Sequence, residues 1–64
     1  MKLHQLIEIM EPKAAVCIIT SHNHAFFESV EELKQETPAY IISRPVKLVW
    51  WSDMFKSFMV EVEK

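Results

Sequence analysis

With 64 residues and no glycine, the chain is long enough for one domain, 1–64, and it lacks the residue that phosphate-cradling and dinucleotide-binding loops normally need. Seven basic and nine acidic residues give a net charge of −2, and the bases are scattered rather than striped, which argues against nucleic acid. A domain this size buries only ~60% of the surface its unfolded chain exposes, and its single cysteine excludes an internal disulfide.

In chain order, residues 2–10 place Leu3, Leu6, Ile7 and Met10 at helical spacing, and Pro12 ends that helix. Residues 14–20, Ala-Ala-Val-Cys-Ile-Ile-Thr, are continuous and rich in β-branched side chains, which predicts a strand buried on both faces. Cys17 is then a small buried hydrophobe, and a lone thiol of that kind fits a reducing cytoplasm. No apolar run approaches the length of a membrane span. Ser21 to His24 form a polar turn, Ala25 to Glu28 pair back as a second strand, and Asn23 is the residue best able to take a left-handed turn conformation.

Ser29-Val30-Glu31-Glu32 fits a capping box, so a second helix starts there and runs to about Glu36, with Val30 and Leu33 inward. Thr37-Pro38 ends it. Residues 39–45 read either as a short helical turn or as an irregular connector. Two runs of period two follow, Val46 to Trp51 and Phe58 to Glu63, joined as a hairpin through residues 52–57. The order is α-β-β-α-β-β. The expected fold is α+β, a four-stranded antiparallel sheet with two short helices on one face.

Alternation assigns Val46, Leu48, Trp50, Phe58, Val60 and Val62 to the helix-covered face of the last hairpin. Lys47, Val49, Trp51, Met59, Glu61 and Glu63 fall on the other. An exposed apolar patch of Val49, Trp51 and Met59, joined by Phe55 and edged by Lys47, is the expected partner-binding surface, since tryptophan and methionine are enriched at interface cores. The alternative is that Met54 and Phe55 fold over Trp51 as a small cluster. A second copy of the chain is as reasonable an occupant as a foreign protein, because a core this size supplies only ~3–5 kcal/mol and gains from a partner subunit.

His22 and His24 have the H-x-H spacing of two metal ligands, but a site needs a third, such as His4 or a carboxylate, and two solvated turn histidines are the expectation. No metal or cofactor is expected. Cys17 in a strand, Ser21 and Ser52 in turns, and carboxylates on solvated faces do not compose a nucleophile, base and orienter, so no enzyme activity is expected. Arg44 lies among apolar residues and reads as a structural pair for a carboxylate, with an anchor for a partner's acidic group as the alternative.

Leu3, Leu6, Ile7, Glu8, Ile9 and Met10, then Val16-Cys17-Ile18 and Phe27-Glu28, then Pro38, Ile41, Ile42, Arg44 and Val46, and finally Val60-Glu61-Val62 form a pattern. It resembles small proteins encoded by phages and prophages of Gram-positive bacteria. Ser29 departs from it, standing where a glycine is usual. The resemblance implies a protein that works by binding, as an inhibitor of a host enzyme or defence complex in the manner of an anti-CRISPR protein, in the host cytoplasm. Two rivals remain: a single-stranded nucleic-acid binder stacking bases on Trp51 and Phe55 with Lys47 and Lys56 on phosphates, and a purely structural homo-oligomer.

Overall fold

The structure, a computed structural model, describes residues 1–63. Its elements are α1 (Leu3–Ile9), β1 (Val16–Ile19), β2 (His24–Phe27), α2 (Val30–Glu36), α3 (Ala39–Ile42), β3 (Val46–Ser52) and β4 (Ser57–Val62). The α+β class, both hairpins and the first two helices match the expectation. Residues 39–42 resolve as a third short helix, so the order is α-β-β-α-α-β-β.

α2 forms for the expected local reason. The Glu32 amide donates to Ser29 Oγ at 3.1 Å, satisfying one of the helix's free N–H groups. The reciprocal arm differs by one residue, because Glu32 Oε2 accepts from the amide of Glu28 at 3.3 Å. Lys2 takes the N-cap position of α1, and its own N–H donates to Gln5 Oε1 at 2.8 Å.

The sheet corrects the sequence reading. Its strand order is β2-β1-β4-β3, with both hairpins antiparallel but β1 and β4 parallel at the centre, so the sheet is mixed. The reason lies in the connection through residues 28–45. Two helices carry the chain from the end of β2 back to the level where β2 began, so β3 runs parallel to β2, at the opposite edge. Pairing each hairpin internally then leaves β1 and β4 side by side.

The helices cover one face. Leu3 and Ile7 of α1, Val30 and Leu33 of α2, Val16 and Ile18 of β1, and Val60 and Val62 of β4 form the buried cluster. Phe27, Val46, Ile41, Leu6, Met10 and Ala14 pack around it. Two inner strands supply most of the sheet's contribution. The outer strands β2 and β3 are largely exposed.

A bulge decides which way β3 faces. Val46 pairs with Val62, but Glu61 is opposite Leu48, so the register slips by one residue at Lys47. One extra residue turns every later side chain to the opposite face. Val49 and Trp51 therefore share the helix side with Val60 and Phe58, while Leu48 and Trp50 share the bare side with Glu61 and Met59. This reverses the alternation expected for β3 from Leu48 onward, whereas β4 faces as expected, with Phe58, Val60 and Val62 toward the helices and Met59 and Glu61 away. It separates Met59 from Val49 and Trp51, and Met59 is buried at 8% exposure.

The chain without glycine places a lysine in the left-handed region. Lys56 has φ 52° and closes the β3–β4 turn, a role the sequence suggested for Asn23. Asn23 instead keeps a negative φ in the first hairpin, its amide donating to Thr20 Oγ1 at 3.1 Å.

Candidate functional site: the bare face of the sheet

Cross-strand partners share a face, so the registers place side chains in rows. One row on the bare side runs Phe26, Cys17, Met59, Trp50 across all four strands, and the next runs His24, Ile19, Glu61, Leu48. No helix covers these rows, because all three helices pack on the other side or at its edge.

The inner members of the first row, Cys17 and Met59, are buried between their neighbours, while Phe26 and Trp50 at its ends remain exposed. Burial pushes the Cys17 thiol above its ordinary value, which leaves it protonated and poorly nucleophilic. Met54 and Phe55 from the β3–β4 turn complete the wall of an open apolar trough of about 770 Å³, lined also by Cys17, His24, Phe26 and Met59. Met54 and Phe55 thus do not form a closed cluster over Trp51. Ser57, fully buried in this region, donates from Oγ to Met59 Sδ at 3.7 Å.

The two adjacent tryptophans have different surroundings. Trp51 packs edge-on against Phe58, ring centroids 5.0 Å apart, and its Nε1–H donates to Asp53 Oδ1 at 2.9 Å. Its polar group is satisfied and its ring is held, although the helices do not reach far enough to cover it. The Trp50 indole N–H makes no hydrogen bond to the described residues, and the ring stands on the bare side beside Leu48. Of the expected partner surface, Val49, Trp51 and Phe55 are exposed, Met59 is not, and Lys47 Nζ lies 3.5 Å from Glu61 Oε2. Sequence reasoning missed Phe26, Leu48 and Trp50 as members of one surface. The strand order would have joined Phe26, but only the bulge at Lys47 brings Leu48 and Trp50 to that side.

His22 and His24 point to different places. His24 lines the bare-face trough, whereas His22 lines a cleft with Tyr40 and Arg44. No group of three histidine, cysteine or acidic side chains is close enough to hold a metal ion among the described residues. The Arg44 guanidinium sits 5.6 Å above the Tyr40 ring, a cation–π contact rather than the carboxylate pair expected. No helix among the described residues is long and apolar enough to cross a membrane. No protein-family model, curated protein or solved structure matches the chain.

Proposed function

We propose that this chain is a non-enzymatic protein-binding module that docks a partner on its bare sheet face around Trp50. The observation that carries the reading is the uncovered row Phe26, Cys17, Met59, Trp50, extended by Leu48 and Phe55. A protein of this size has little apolar surface to spare, and an exposed aromatic patch of this kind is the usual anchor of a protein interface. The charges nearby favour protein over nucleic acid. Glu61 lies in the second row, and Lys47, the base best placed to meet a phosphate, is already beside it. The resemblance to phage-encoded proteins supports a host enzyme or defence complex as the class of partner, with the chain acting as its inhibitor.

The test is capture from nuclease-treated extract of a Gram-positive host by the tagged chain, its Trp50→Glu variant and its Tyr40→Glu variant. Tyr40 is exposed on α3, away from the bare face. The reading expects one protein held by the wild type and by Tyr40→Glu and released by Trp50→Glu, with unchanged circular dichroism. Capture indifferent to Trp50→Glu, or no partner beyond the bait, would contradict it.

A further inference from the structure

The helix side of the first hairpin carries a second hollow, on the opposite side of the sheet from the bare face. Ile18 and Ala25 are cross-strand partners on that side, and with Phe27, Pro38 and Ile41 they line an apolar hollow of about 190 Å³. At ~30 Å³ per water this is room for about six waters, and enough for an aliphatic side chain. The hollow adjoins the cleft of His22, Tyr40 and Arg44 along a common wall of Thr20, Asn23 and Ile41.

The cleft suits an anion. Arg44 is half-buried with its guanidinium over the Tyr40 ring, and it makes no ion pair with the described residues. No aspartate or glutamate lines this cleft among the described residues. A planar fork of N–H donors, held by a ring and without a carboxylate of its own, matches a carboxylate brought by a ligand. Glu36 borders the apolar hollow instead, so an anionic head is favoured only at the Arg44 end. Asn23 stands between the two ends. The Thr20 hydroxyl is committed to the turn, donating to Asn23 O at 3.3 Å and accepting from Asn23 N at 3.1 Å. The Asn23 side-chain carboxamide makes no hydrogen bond to the described residues and offers both a donor and an acceptor.

We infer that this groove takes the C-terminal residue of a peptide that ends in an aliphatic side chain. In such a residue the side chain, the amide and the carboxylate diverge from one Cα. The groove sets one complement for each: the apolar hollow, Asn23 and Arg44. A branched-chain fatty acid lacks the amide, and an internal peptide segment lacks the carboxylate. Capture of a terminal carboxylate is a recurrent mode of peptide recognition.

Backbone amide chemical shifts of the full chain, titrated with N-acetyl-leucine, test this directly. Shifts confined to residues 20–23 and 37–44 are expected, with a dissociation constant of about millimolar for so small a probe. Three analogues each remove one contact: N-acetyl-leucinamide the charge, N-acetylglycine the side chain, and isocaproate the amide. Each is expected to bind roughly tenfold more weakly. No shift with N-acetyl-leucine at roughly ten times that concentration would overturn the proposal, and so would equal binding by any analogue. Arg44→Gln is expected to weaken N-acetyl-leucine roughly tenfold, and undiminished binding would overturn the proposal. The analogue series on the unaltered chain decides the matter even where that variant does not fold. Trp50→Glu, on the other side of the sheet, is expected to leave the titration unchanged; loss of binding would place the probe on the bare face and overturn the proposal. These shifts are read without any captured partner, so this groove and the bare-face reading stand or fall separately.

Discussion

Strands β1 and β3 are similar as sequences and opposite as surfaces. Val16, Cys17 and Ile18 of β1 are all buried, whereas Lys47 to Trp51 of β3 are all exposed, although four of those five are apolar. Hydrophobicity does not separate the two strands; position in the sheet does. β1 has β2 on one side, β4 on the other and helices above, while β3 stands at an edge beyond the reach of the helices. An edge strand gains little from side chains of this size inside its own domain. It also carries the association hazard of unpaired peptide groups beside apolar residues. A strand that keeps both under those conditions fits the docking role proposed for the bare face.

Truncations on the two strands sharpen that contrast most strongly. Ile18→Ala removes a side chain that is 3% exposed and is expected to cost about 3 kcal/mol. Leu48→Ala, at a side chain 55% exposed, is expected to cost less than ~1 kcal/mol while weakening partner capture. Chemical denaturation measures both. Equal losses of stability would break the comparison by showing that β3 belongs to the core.

A smaller effect is expected at the turn that presents Met54 and Phe55. Lys56 holds a left-handed conformation without glycine's freedom, a cost of ~1–2 kcal/mol relative to glycine in the folded state. Glycine's larger unfolded-state entropy returns part of this. Lys56→Gly is therefore expected to raise stability by up to ~1 kcal/mol in the same denaturation assay. A loss of stability would mean that Lys56 makes contacts in the turn that outweigh its backbone strain.

The sequence made some of this legible and hid the rest for physical reasons. The stripe Leu3, Leu6, Ile7 and the Ser29 cap are local signals, and both helices followed from them. The hairpins were also local. The parallel junction of β1 and β4 is not local, yet it was implied once a helix was read between β2 and β3, because a helical crossover returns the chain in the same direction. The bulge at Lys47 left no such trace. Strands usually declare their buried face by alternation, but Leu48, Val49, Trp50 and Trp51 are apolar in succession, so a one-residue slip changes every face without changing the pattern. That is why an exposed apolar strand was legible from its tryptophans while the face of each of its side chains was not. Met59 stays on the bare face, parted by the slip from Val49 and Trp51, and Phe26 entered only through the strand order.

Everything proposed for the bare face depends on which tryptophan the slip turns outward. The most direct test is a two-dimensional nuclear Overhauser spectrum of the chain with its two indoles assigned. The account predicts cross-peaks from the Trp51 indole to the Phe58 ring, whose centroids lie 5.0 Å apart, and from the Trp50 indole to the side chain of Met59. Cross-peaks joining Trp50 to Phe58 and Trp51 to Met59 would contradict it and would place Trp51 on the bare face in its stead.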